Sequence, residues 1–245
     1  MQNLQQPFFS IKQEKEIYNS SVSYYGVIFL KISELFNLEH TLANEYLSAF
    51  TYGFEALSGL SRFISELQSK LYDEFEEVYD SVWAHKTATI SPTAYIKGPA
   101  IIGKGSEIRH TAFIRGSVII GENCTVGNSS EIKNSILFDR VQVPHFNYIG
   151  DSILGYKVHL GAGAITSNIK SDKTLITVKG VSPIKTNLRK FGALVGDNTE
   201  IGCNTVLNPG TIIGKNVTVY PLSNVRGVIP HSYIYKSADT IIRKE

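Results

Sequence analysis

Cysteine is nearly missing from this chain: of 245 residues only Cys124 and Cys203 are thiols, and they form no CxxC pair. That excludes a disulfide framework and a zinc-ligand pattern, and it fits a reducing cytosol. Charge of either sign is not in excess, with a formal net charge of +2, so no global basic field marks a nucleic-acid binder. No apolar run approaches the roughly 20 residues a membrane span needs. The longest candidate, Val22 to Leu30, is interrupted by Ser23 and Gly26 and reads as a buried segment. Met1 to Ser10 lacks the basic start and small-residue cleavage site of a secretory signal, so a cytoplasmic protein is expected. Glycine is scarce only at first: residues 1–85 hold Gly26, Gly53 and Gly59, and the other 17 lie beyond. The architecture is therefore expected to change near Trp83.

Before that point, Val27, Leu30, Ile32, Leu35 and Phe36, then Leu42, Tyr46, Leu47 and Phe50, then Leu57, Leu60, Phe63, Ile64, Leu67 and Leu71 recur mostly at steps of three and four. This is helical spacing, with Ser58 and Gly59 as the expected break. The acidic run Asp73, Glu74, Glu76, Glu77 and Asp80 reads as a solvated face. From Ile90 the grammar differs. Ile90, Ile96, Ile102, Ile108, Ile114, Ile120, Val126 and Ile132 follow a strict step of six, which chance would produce with odds on the order of one in 10⁵. The step resumes at Val195, Ile201, Leu207, Ile213, Val219 and Val225.

A period of six fits a short strand and a tight bend, three of which close one triangular coil. Stacked coils place the aliphatics in ladders inside a narrow prism, roughly six coils and about 30 Å long. The ends of such a rod need caps, and the helical domain is a candidate for one. The expected organisation is mainly β: a helical domain over 1–84, a parallel β-helix over 85–232 and a tail over 233–245. Between Val143–Ile149 and Leu154–Leu160 the register slips, and a long segment follows from Ser167 to Phe191. That segment, at about 167–192, carries Lys170, Lys173, Lys179, Lys185, Arg189 and Lys190 against Asp172 alone, a local positive field suited to a phosphate-bearing ligand.

Three stretches are more specific. Arg115 through Gly127-Asn128-Ser129-Ser130-Glu131-Ile132-Lys133, then His145-Phe146-Asn147-Tyr148-Ile149-Gly150-Asp151, then Gly161-Ala162-Gly163-Ala164-Ile165-Thr166-Ser167-Asn168 resemble the acetyltransferase domain of bacterial bifunctional glucosamine-1-phosphate acetyltransferase/N-acetylglucosamine-1-phosphate uridylyltransferase, a hexapeptide-repeat enzyme. Arg189-Lys190-Phe191-Gly192-Ala193 and Leu207-Asn208-Pro209-Gly210 look closer still to archaeal sugar-phosphate transferases. The match covers about residues 85–230. It implies a left-handed coil, an exception to right-handed crossovers, and a homotrimer with sites shared between subunits.

The resemblance further implies transfer of an acetyl group from acetyl-CoA to an amino-sugar phosphate, in the synthesis of UDP-N-acetylglucosamine and cell-envelope precursors, with no metal, nucleic acid or membrane involved. Such a reaction needs a base near neutral pH, a role histidine suits, and His145 lies at the matching position. Glu131 falls where a carboxylate supports that base. Arg115 and Lys133 match residues holding the sugar phosphate, Tyr148 and Asn168 match sugar contacts, and Lys173 is the counterpart of a phosphate-binding lysine. Ala162 and Cys203 fall on the acetyl-CoA side. His159 and Ile169 stand where the family has an asparagine and a tyrosine, and Cys203 and Pro221 where it has a serine and an alanine, so the acceptor sugar is left open.

Residues 1–85 lack the length and glycines of a nucleotidyltransferase domain, so no nucleotidyl transfer is expected. Two rival readings stand beside the enzyme. A trimeric zinc carbonic anhydrase would use His110 and His145, but position 150 is Gly where a third histidine belongs. A non-catalytic trimeric rod would display its helical domain to a partner.

Overall fold

The computed structural model describes residues 31–71, 73–180 and 183–245. The apolar segment Val22–Leu30 read above lies outside them. Among the described residues the rod is a left-handed parallel β-helix of short strands in three sheets of nine, seven and nine strands, with a small helical part before it. The first face contains Ala100–Ile102, Val118–Ile120, Ser135–Leu137 and Ala193–Val195; the second contains Phe113–Ile114, Glu131–Lys133 and Tyr148–Gly150; the third contains Thr125–Asn128, Gln142–His145 and His159–Leu160.

Ladder positions follow the step of six. Ile114, Ile132, Ile149, Thr166, Leu207 and Val225 stack in register on the second face and are buried. Seven strands on that face make seven coils, one more than expected, because the slipped segment continues the stack instead of breaking it. The slip is a one-residue deletion at one corner. Ile132 to Leu137 and Ile149 to Leu154 are steps of five, both at the bend from second to first face, and Asn134 (φ +46°) and Asp151 (φ +49°) take the left-handed conformation there, as residues such as Ser117 and Asn123 do at full-length corners. The long basic segment leaves from the same corner one coil later. Its antiparallel strands Thr177–Val178 and Ile184–Lys185 pair with each other, and Ile176, Val178 and Phe191 are buried, so the segment is seated on the rod.

The first face carries a second ladder that the sequence reading missed. Because alternate residues of a strand point to opposite sides, Ile101, Ile119, Ile136, Ile153, Leu194 and Ile212 point outward from the prism, yet all are fully buried. The helical part covers them. It contains α1 (Ile32–Leu35), α2 (Asn44–Ser48), a 3-10 turn over Gly53–Ser58 and α3 (Leu60–Gln68). Gly59 ends the 3-10 turn and opens α3, the break seen in the sequence. Leu60 and Ile64 are buried, α3 lies on the strands of Ile101 and Ile119, and Gly53 meets Leu194 and Ile153. Gln68 fixes the seat by donating to the carbonyls of Ser81 (2.9 Å) and Ala100 (3.1 Å).

The helices thus lie along a face, not across an end, because that face is the one with exposed aliphatic area to bury. The rod's termini carry antiparallel hairpins instead. Phe75–Tyr79 pairs with Val82–His85, whose strand already starts the parallel stack, and Tyr233–Ser237 pairs with Thr240–Arg243, so residues 233–243 fold onto the third sheet. The acidic run falls on and around the first hairpin strand, where Glu76 and Glu77 are exposed. Among the described residues no helix is long and apolar enough to cross a membrane.

Candidate active site

Stacked coils bring cations and carboxylates together on the second face. Arg115 and Lys133 occupy successive coils at the same strand end, with Gly150 next in register. The Arg115 guanidinium donates to Glu131 at 2.6 Å, an interaction that holds its pKa above the usual value. Lys133 Nζ reaches Asp151 Oδ2 at 3.1 Å, and Asn134 Nδ2 donates to Asp151 Oδ1 at 2.8 Å. Asn168 donates to Asp151 Oδ2 as well, and to the Tyr148 hydroxyl at 3.2 Å. Asp151 is only 4% exposed, so its charge is desolvated and three donors compensate it. Gly150 makes room for this network: a Cβ there would stand 2.6 Å from the Tyr148 hydroxyl and 2.7 Å from Asn168 Nδ2. Burial, followed by Glu131 and Asp151, raises the Tyr148 pKa, so its phenol keeps its proton at neutral pH.

His145 sits at the next corner, where the third face turns into the second. Asn147 builds that corner. Its buried side chain accepts from the His145 N–H (3.1 Å) and donates to the carbonyls of Gly161 (2.9 Å) and Ala164 (3.0 Å). The His145 ring is left exposed and makes no hydrogen bond or ion pair among the described residues. One coil on, Gly163 N–H donates to the His145 carbonyl (3.0 Å), while the neighbouring Ala162 N–H donates to no described acceptor. Cys203 stacks on Gly161 with an exposed side chain, whereas Cys124 is buried and its thiol is pushed up to about 12 by desolvation.

Arg115, Glu131, Lys133, Tyr148 and Asn168 therefore share the second face, while His145, Ala162 and Cys203 share its corner. Two sequence expectations differ in geometry. Glu131 is engaged by Arg115, and no hydrogen bond joins it to His145. His159 lies on the third face, where its Nδ1 meets Glu200 Oε2 at 2.8 Å in an open cavity of ≈ 360 Å³ also lined by Arg140, Gln142 and Lys157. Outward side chains on adjacent faces of a prism diverge, so one chain does not aim His159 at Lys133. Lys173 is exposed on the basic segment, its backbone held by the Lys170 carbonyl at 2.9 Å. His110, two coils before His145 in its column, meets Thr93 Oγ1 at 3.0 Å. That is about 10 Å of stacking, too far for both rings to ligate one metal within a chain. Among the described residues no group of three or more His, Cys, Asp or Glu is placed to hold a metal.

Asp151 was the residue sequence reasoning passed over. It lay in the quoted motif, but its role emerges only where coils 17 residues apart stack it beside Lys133 and Asn134.

With this geometry in view, residues 192–227 match the bacterial transferase hexapeptide profile of six repeats, and residues 96–187 match the GMPPB C-terminal domain. The rod is a hexapeptide-repeat β-helix. Over a little under half of its length the chain resembles bifunctional sugar-phosphate enzymes. It is 34% identical over 113 residues to the bifunctional protein GlmU of Methanococcus maripaludis (strain C5), which spans 45% of this chain and 27% of that protein. It is 33% identical over 103 residues to a bifunctional sugar-1-phosphate nucleotidylyltransferase/acetyltransferase of Sulfurisphaera tokodaii, covering 41% of this chain and 25% of that one. The hexapeptide chain thus aligns with about a quarter of these relatives' length. Among solved structures, the acetyltransferase domain of PglB from Neisseria gonorrhoeae, in complex with acetyl coenzyme A, aligns over 74% of this chain and 63% of its own at 19% identity. Its TM-score of 0.36 is too low to bear on function.

Proposed function

We propose that this protein is an acyltransferase that moves an acetyl group from acetyl-CoA to the amine of an amino-sugar phosphate of the glucosamine-1-phosphate kind. The observation that carries the reading is an imidazole, exposed and unengaged among the described residues, at the corner that opens the face presenting Arg115 and Lys133, with an Ala162 N–H one coil on that meets no described acceptor. In this mechanism Arg115 and Lys133 grip the sugar phosphate, exchanging Glu131 and Asp151 for the ligand's oxygens. Tyr148 and Asn168 hydrogen-bond the sugar hydroxyls. His145 takes the amine proton as nitrogen attacks the thioester carbonyl, the carbon–sulfur bond breaks, and CoA leaves as the thiol after accepting that proton. The Ala162 N–H supports the negative charge that develops on the carbonyl oxygen. Release of Glu131 by Arg115 on phosphate binding frees a carboxylate to steady the imidazolium.

Cys203 and Pro221 line the corner column along which the CoA arm would run. The third-face group around His159 enters the site from a neighbouring chain. That requires an oligomer in which the second face of one rod meets the third face of the next, a heterologous contact that closes as a ring, in this reading a trimer. The helix-covered first face is not available for it.

A thiol-release assay with acetyl-CoA and a panel of amino-sugar phosphates tests the reading. Release with at least one acceptor, lost by about 10²-fold or more in His145→Ala, is the expected result. Absence of release across the panel, or full activity in that variant, sinks it.

A further inference from the structure

The basic segment is seated so that two of its lysines meet an arginine from a later coil. Lys170, Thr177 and Lys179 line one side of a cavity of ≈ 120 Å³, and Pro209, Gly210, Arg226 and Gly227 line the other. Three cations face this cavity and no carboxylate does. Lys170 shares its charge with Asp172 at 3.5 Å, but neither Lys179 nor Arg226 is ion-paired among the described residues. This distinguishes Lys179 and Arg226 from Arg115 and Lys133, both of which hold carboxylates.

The cavity is built by close packing of the segment on the rod. Gly210 (φ +81°) has no Cβ to strike Ile176, which would stand 2.8 Å away, and Gly227 (φ +79°) lets the Lys179 carbonyl approach to 3.1 Å of the same position. The Gly210 N–H pins the exit of the segment through the Gly192 carbonyl at 2.9 Å. Buried Ile176 and Val178 hold the strand between the two lysines. The cations are therefore presented from two pieces of chain, the inserted segment and the coil of Arg226, packed against each other.

Register places this cluster away from the candidate active site. Lys133, Gly150, Ser167, Asn208 and Arg226 occupy the same strand end in five successive coils. Four steps of stacking separate Lys133 from Arg226, about 19 Å, which no single phosphate bridges.

We propose that Lys170, Lys179 and Arg226 form a second anion site that binds the diphosphate of a nucleotide-type ligand. Two ammonium groups and a guanidinium fork match a group that spreads two to three negative charges over several oxygens. A concave setting whose lining carries no carboxylate concentrates such an anion without a deep pocket. The site does not depend on the acetyl-transfer reading.

Calorimetric titration of the full chain with pyrophosphate at low salt tests it, with Lys179→Gln/Arg226→Gln and Arg115→Gln/Lys133→Gln as paired variants. Both pairs are at the surface or half-buried, and an unchanged Tm verifies the fold. The expected result is an affinity at least tenfold weaker in the first variant, retained in the second, and reduced by added NaCl. Wild-type binding in Lys179→Gln/Arg226→Gln, or loss of all binding in Arg115→Gln/Lys133→Gln, overturns the proposal. Competition then identifies the source: displacement of pyrophosphate by 3′,5′-ADP points to a CoA-type ligand, and displacement by UDP to a nucleotide sugar. Displacement by neither rejects the nucleotide assignment. Thiol release at saturating acetyl-CoA in the same variants separates this outcome from the catalytic one, since there only Arg115→Gln/Lys133→Gln is expected to lose it.

Discussion

At the scale of single residues, the candidate site is governed by what each charge is already holding. Arg115 and Lys133 begin engaged to carboxylates, so an acceptor phosphate must compete for them. A charge-assisted hydrogen bond is worth about 1.5–3 kcal/mol, so Lys133→Ala is expected to raise the acceptor KM by about 10- to 100-fold, with a smaller change in the acetyl-CoA KM. Steady-state kinetics against each substrate checks this. The two thiols should also separate cleanly. Cys124, buried with its thiol pushed up to about 12, stays inert in the folded protein, while exposed Cys203 reacts with a disulfide reagent. Protection of Cys203 by acetyl-CoA is expected if the CoA arm follows its corner; equal reactivity with and without acetyl-CoA argues against that path. His231 supplies a pH dependence. Burial, with Lys215 adding to it, lowers this imidazole to about 4, and its Nδ1 accepts the Lys215 N–H at 2.7 Å. Because the folded pKa lies below the unfolded value near 6.5, its contribution is fully present above about pH 6.5 and is lost as pH falls toward 4. Tm measured across that window should fall in the wild type and fall less in His231→Gln.

At the scale of elements, corners decide where chemistry sits and faces decide what is covered. Gly127 lies under the His145 corner, and a Cβ there would stand 1.5 Å from the Pro144 carbonyl oxygen. Gly127→Ala therefore has to displace the coil carrying His145. It is expected to reduce transfer far more than it reduces binding of acetyl-CoA, measured by comparing kcat with direct titration. On the first face, Ile64 of α3 is fully buried against the outward ladder. Truncating a buried isoleucine leaves a cavity, so Ile64→Ala should cost about 2–5 kcal/mol in denaturant unfolding. A cost near zero would mean that the helices are loosely attached.

At the scale of the whole molecule, the divergence of the second and third faces makes oligomerisation part of the proposed site. A mass three times that of one chain is expected from light scattering. Mixed oligomers give a sharper test. Arg115→Gln/Lys133→Gln disables the second face and His159→Ala weakens the third, so co-expression of the two variants should recover activity above either alone. Recovery occurs only where sites draw on two chains; strict averaging of the two activities would place the whole site within one.

The repeat of six, read along one dimension, determined the coil and its aliphatic ladders, because every coil imposes the same demand on the same position. The slips at Ile132–Leu137 and Ile149–Leu154 were visible too, although their consequence was not. Stacking of the two shortened corners collects donors around the buried Asp151 carboxylate, which requires neighbouring coils to be in place. A second ladder was also written in the chain, with Ile101, Ile119, Ile136 and Ile153 preceding every third core aliphatic. Its meaning depended on which face the helices chose. Tertiary structure alone decided that the helices lie along the rod, that His159 faces away from Lys133, and that Arg226 meets Lys170 and Lys179 across more than forty residues of sequence. Periodicity specifies how each residue is oriented within its coil, whereas contacts between faces, corners and the inserted segment depend on stacking and on burial of area that no local pattern encodes.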